Sequence, residues 1–238
     1  MNKSLTLALP LALASSLASA EWFVQPKVGY EIRDFGLRTI DSDNLRISAS
    51  IPGVIYGISM INSAGYYWNI ELSGGNGEVS DYYPEDDYIE RYDSTISAGY
   101  SLGDGLTVFG GWATSDTQIE NQKGQANQPD SFQTISSGLM FGLSQTFSSN
   151  AHSVNLAAAI GFMSGTYESD DLDAEGSSQG FSGSLAYTYR TPFGLAVTLG
   201  VKGQNYEYSN MYNRLTDNNV EPLNESITSY FLKTSYTF

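Results

Sequence analysis

The sequence predicts an all-β chain: a transmembrane antiparallel up-and-down β-barrel of ten strands. Three observations predict it. Apolar and small or polar residues alternate with a period of two through ten runs, and the connections between runs are alternately tiny and long. Within the runs, large apolar side chains share one face while Gly, Ala, Ser and Thr share the other.

Composition narrows the class before any element is placed. The 238 residues include 24 Gly and no Cys, only 16% are charged, and the mean hydropathy is -0.23. A bundle of membrane helices, a coiled coil and a disulfide scaffold are excluded. With 26 acidic against 11 basic residues the net charge is -15, so nucleic acid is not an expected partner. Residues 1–20 read as a cleaved signal peptide: Lys3 supplies the positive start, Leu5 to Leu13 the short apolar stretch, and Ala18-Ser19-Ala20 the cleavage pattern. Cleavage after Ala20 leaves a barrel over 21–238. No later stretch approaches the ~20 apolar residues of a membrane helix.

In order, the runs are 22–33, 50–61, 65–74, 91–102, 105–115, 131–147, 153–167, 179–191, 194–208 and 225–238. Between alternate runs lie 62–64, 103–104, 148–152 and 192–193, short enough for hairpin turns. The other connections, 34–49, 75–90, 116–130, 168–178 and 209–224, are long and polar. A rival reading as propeller blades fails, because each interval between turns holds two strands and one long loop with no repeated motif.

Parity then assigns the faces. In the sixth run Leu139, Phe141 and Leu143 oppose Gly138, Met140, Gly142 and Ser144; in the ninth, Leu195, Val197, Leu199 and Val201 oppose Ala196, Thr198, Gly200 and Lys202. A soluble barrel would leave the small face bare outside, whereas a lipid-facing exterior around a narrow polar lumen accounts for both. Aromatics fall near strand ends, with Trp22, Tyr66, Trp68, Tyr100, Phe147, Phe193 and Tyr236 at the turn end. Tyr30, Tyr92, Trp112, Phe132, Tyr167, Phe181 and Tyr206 stand toward the loops, as two interfacial girdles. At Pro52-Gly53 the apolar parity changes, from Leu45, Ile47, Ala49 and Ile51 to Val54, Tyr56, Ile58 and Met60, which predicts a bulge.

The last run, with Tyr230, Leu232, Tyr236 and the terminal Phe238, resembles the C-terminal assembly signal of Gram-negative outer-membrane β-barrels. The resemblance covers the whole mature chain at the level of pattern and singles out no family. It implies an outer-membrane location after export, contact with outer-membrane lipid and lipopolysaccharide, and recognition by periplasmic chaperones and the barrel-assembly machinery. A monomer is expected; eight or twelve strands follow if one hairpin is misread.

Candidate site residues are of three kinds. By parity, Lys27, Glu31, Arg33, Glu71, Asp93, Arg190, Lys202 and Lys233 point into the lumen. Ten strands enclose little more space than the eight whose interior side chains just fill it, so these charges predict a salt-bridged, water-containing plug rather than a wide pore. Acid is concentrated outside, at Glu78, Asp81, Glu85, Asp86, Asp87 and Glu90 and again at Glu168, Asp170, Asp171, Asp173 and Glu175. Asp171, Asp173, Glu175 and Gly176 match the first half of a calcium loop; the twelfth position is Ser182 rather than Glu, which breaks the match. No cofactor is expected beyond Ca²⁺ or Mg²⁺ at these loops. Finally, Tyr82, Tyr83, Tyr88, Tyr206, Tyr208 and Tyr212 are candidate contacts for a partner on the loop surface.

Catalysis lacks its parts. The sole histidine, His152, falls in a short turn at the opposite end from the acids, and Cys is absent. Ten-stranded barrels include the omptin proteases, whose outer rim combines acids with a histidine; here the acids stand without one. The expectation is therefore a non-enzymatic barrel with a structural or surface-interaction role, against two alternatives: a narrow passive pore and a rim hydrolase.

Overall fold

A chain crossing a bilayer with strands must satisfy every backbone N–H and C=O between neighbours, which forces the sheet to close. The computed structural model describes residues 21–40, 46–81, 88–120, 131–169 and 172–238, and does so as one antiparallel sheet. Its strands are β1 (Trp22–Thr39), β2 (Arg46–Asn62), β3 (Tyr66–Asp81), β4 (Tyr88–Gly103), β5 (Leu106–Glu120), β6 (Ser131–Ser149), β7 (His152–Ser169), β8 (Leu172–Arg190), β9 (Leu195–Asn213), the two-residue β10 (Asn218–Asn219) and β11 (Leu223–Tyr236). Each long strand pairs with the next in sequence. β11 bonds to β9 on one side, with Lys233 opposite Thr198, and to β1 on the other, with Lys233 opposite Gly29, so ten long strands close the barrel. β10 only folds back on the end of β9.

The four short turns stand at one end, as expected. That between β4 and β5 needs a left-handed backbone at three successive residues, Gly103 (φ 104°), Asp104 (φ 48°) and Gly105 (φ 80°), which is why Gly flanks an Asp there. The long connections are much shorter than their polarity suggests. β1 runs to Thr39 and β2 starts at Arg46, while β8 starts at Leu172 instead of 179. The ten long strands are 14 to 19 residues long, whereas about 9–11 residues cross a bilayer. The surplus lifts the barrel wall roughly 15–20 Å beyond the membrane on the loop side.

That extension accounts for the change of apolar parity at Pro52, where a bulge is expected and none is found. Pro52 and Gly53 lie in unbroken register with Ile32 and Glu31 of β1, and no bulge occurs there; the register shift of β2 falls at Ser48/Ala49 against β3. Odd-numbered residues of β2 face inward throughout, from Ile47, Ala49 and Ile51 to Ser59. What changes at Pro52 is the solvent. Toward the turns the outer face meets lipid and shows Val54, Tyr56, Ile58 and Met60; toward the loops it meets water, and the apolar residues turn in.

Inward-facing apolar side chains thus form a core inside the loop-side half. Phe35, Leu37, Ile47, Ile51, Ile89, Ile119, Phe132, Tyr206, Tyr208, Met211, Leu223 and Ile227 are buried together, with Tyr167 packed against them. Phe132, Tyr167 and Tyr206 therefore belong to this core and not to an outer girdle, while Tyr30, Tyr92, Trp112 and Phe181 do face outward. Glycines make room for the rings. A Cβ on Gly165 would lie 2.6 Å from the ring of Tyr208, and one on Gly200 2.4 Å from that of Phe231.

Candidate functional site

The interior is stacked in three levels, and its charges divide between two of them. Beneath the apolar core lies a buried layer of ion pairs. Arg91, on β4, is fully buried and donates to Asp93 two residues along the same inward face (2.9 and 3.1 Å) and across the lumen to Glu225 of β11 (2.6 Å). Its guanidinium also donates to Thr117 Oγ1 at 2.6 Å and stands 5.9 and 5.8 Å from the rings of Phe35 and Tyr206. Glu225 takes a further hydrogen bond from Thr134 Oγ1 at 3.2 Å. Arg33 pairs with Glu31 on its own strand, lies 3.6 Å from Asp93, and donates to the Arg91 carbonyl at 3.2 Å. Every charged end in this layer has a partner, the condition under which buried charge is tolerated.

Below it, toward the turns, the lumen opens into a chamber of about 410 Å³. Lys27, Glu71, Lys202 and Lys233 line it, with Asn69, Ser97, Gln204 and Asp93. Lys233 Nζ donates to Glu71 Oε2 at 2.7 Å; Lys27 Nζ donates to Asn69 Oδ1 at 2.6 Å and lies 3.8 Å from the same Glu71 oxygen. The chamber reaches down past Ile61, Tyr67, Ser144 and Asn155, beside the short turns.

Parity alone therefore placed seven of the eight lumen charges inside, and Glu71 reaches the basic side as expected. Arg190 is the exception: although its parity is inward, it stands exposed at the turn end of β8, below the barrel interior. Arg91 and Glu225, which dominate the buried layer, were missed. The signal was present, since Arg91 shares the parity of Asp93, and Glu225 that of Lys233.

On the loop-side exterior the outward residues are charged or polar, including Asp34, Arg38, Glu78, Glu120, Glu168 and Glu207. Asp173 and Glu175 lie within β8, in a strand and not in a calcium-type loop. Both are bound by Arg214, at 2.6 and 3.1 Å, and the Asp173 hydrogen bond and charge hold that guanidinium above its usual pKa. Asp171 lies outside the described residues, as do Tyr82, Tyr83, Glu85, Asp86, Asp87 and Asp170. Among the described residues no group of three or more His, Cys, Asp or Glu is placed to hold a metal. Of the candidate contact tyrosines, Tyr88 and Tyr212 are exposed, but Tyr206 and Tyr208 point into the core and cannot meet a partner.

At the closing seam, Tyr230, Leu232 and Tyr236 face outward from β11, and Phe238 lies beyond it, its N–H bonded to the Val24 carbonyl at 3.0 Å and its ring edge-on to Tyr236. His152 stands at the turn end, its Nδ1 2.6 Å from the Tyr187 hydroxyl, and is exposed.

This is the architecture of the Gram-negative outer-membrane β-barrels. The protein is similar in structure to the outer membrane protease OmpT from Escherichia coli, with a TM-score of 0.56 at 10% identity over 92% of this chain and 97% of that one. It is similar also to the beta domain of the Bordetella autotransporter Brka, with a TM-score of 0.50 at 12% identity over 92% of this chain and all of that one. At such identities the likeness is one of fold. No family model and no curated protein matches the sequence.

Proposed function

We propose that this protein is a sealed, non-enzymatic barrel of the outer membrane whose work is done at its raised, acidic loop end, in contact with lipopolysaccharide or with a cationic partner. The observation that carries the reading is the closure of the lumen. Fully buried Arg91 and Glu225 join opposite walls, and Ile47, Ile51, Ile89, Ile119 and Tyr208 are packed together beyond them, so among the described residues side chains occupy the lumen past the chamber. A passive pore is thereby disfavoured. So is hydrolysis at the rim, because the acids there stand at the opposite end from His152. Among the described residues, what is exposed at the loop end is a wall of strand, stiffer than free loops and mainly acidic, which suits presentation of a fixed surface. Its acidity also favours divalent cations bridging carboxylates to lipopolysaccharide phosphate.

Single-channel conductance of the refolded protein in a planar bilayer tests the closure; a silent, heat-modifiable barrel is expected, and steady ohmic steps overturn the reading. Whole cells displaying the protein should then retain a basic peptide at low salt and release it at about 0.5 M, where the Debye length falls to a few ångströms.

A further inference from the structure

The chamber on the turn side has an unbalanced charge. Among the described residues facing the barrel interior are five cations, Lys27, Arg33, Arg91, Lys202 and Lys233, against four carboxylates, Glu31, Glu71, Asp93 and Glu225. The imbalance is local. In the buried layer two arginines meet three acids, all in contact, whereas in the chamber three lysines meet Glu71 and the edge of Asp93, whose oxygens already pair with the arginines. Two of those lysines are satisfied there: Lys233 by Glu71, and Lys27 by Asn69 and Glu71. Lys202 is not. It lines the cavity, and none of the described residues gives it a hydrogen bond or an ion pair; Asp93 and Glu71 act on it only from beyond contact, and the Asp93 oxygens are already taken by Arg91 and Arg33.

An ammonium held in a narrow lumen, with a cavity in front of it and two further ammoniums around the same space, is a site for a mobile anion. Besides the lysines, the lining holds the Ser97 and Tyr67 hydroxyls, which bond to each other, and the Gln204 amide, which donates to the Tyr206 hydroxyl at 2.7 Å. Three ammonium groups, each with several N–H donors, placed around one space suit an ion with several oxygens better than a halide. We infer that the chamber binds a small tetrahedral oxyanion of the phosphate or sulfate type, with Lys202 as its principal ligand. Since the buried layer shuts the way up, the ion enters and leaves by the turn end, which in outer-membrane barrels faces the periplasm. The inference is independent of what the loop surface engages.

Titration calorimetry with inorganic phosphate, on protein refolded in a non-ionic detergent at low ionic strength, tests it. Saturable binding is expected, competed by sulfate, weakened at least tenfold in Lys202→Met, kept within about threefold in Lys202→Arg, and unchanged in Arg214→Ala, which removes an exposed cation outside the barrel. If the Met variant loses heat-modifiable mobility, Lys202→Gln is read in its place. Absence of saturable binding to the native protein, or equal binding by the native protein and the Met or Gln variant, overturns the inference.

Discussion

The two halves of this barrel obey the same alternation with opposite sense. Toward the turns, Tyr56, Leu72, Leu199 and Leu232 face out and Lys27, Glu71, Ser97 and Lys233 face in. Toward the loops, on the same strands in unbroken register on β1 and β2, Phe35, Leu37, Ile47 and Ile51 face in while Asp34 and Arg38 face out. The pairing of β1 with β2 does not distinguish the halves. The difference lies in the surroundings: lipid outside one, water outside the other. It teaches that a strand's apolar parity reports its solvent as much as its pleat, and that a change of parity at an unbroken register marks the membrane boundary.

Where the halves meet, the ion-pair layer should be the most sensitive place to break the comparison. Arg91→Ala leaves Glu225 and Asp93 buried with too few partners, and should cost about 3–5 kcal/mol in denaturant unfolding of the refolded barrel. A cost below about 1 kcal/mol would mean that the layer is hydrated and the two halves are continuous. Next comes the loop-side core. Ile51→Ala, at a fully buried position, should cost about 2–5 kcal/mol, as in the interior of a water-soluble protein; a negligible loss would place this half among loosely packed loops. A matched pair sharpens the boundary. Leu199→Arg, on the lipid face, should cost about 2–4 kcal/mol, while Gln118→Arg, exposed on the water-facing wall, should stay within about 0.5 kcal/mol. Equal effects would put both positions in the same solvent.

Much of this was legible along the chain. Strand number, turn and loop ends, the lipid-facing band and the Lys27–Glu71–Lys233 cluster follow from local alternation, since a side chain's face is decided by its own strand. The loop-side extension was not legible, because Ser-, Gly- and acid-rich segments such as 172–178 resemble loops when strands are sought by a greasy outer face. Tyr206 and Tyr208 were misplaced for the same reason. The Arg91–Glu225 pair joins residues 134 apart on strands that are not neighbours, and nothing in either segment names the other.

Sequence by itself thus determined a ten-stranded, membrane-spanning barrel with its acidic end opposite the short turns, because two-residue periodicity and turn chemistry act over a few bonds. Only the tertiary structure decided that Arg91 and Glu225 meet across the lumen beneath an apolar core, and that Lys202 has no hydrogen bond or ion pair among the described residues. Those outcomes depend on which inward side chains meet across the barrel, and closure of the sheet alone brings them together.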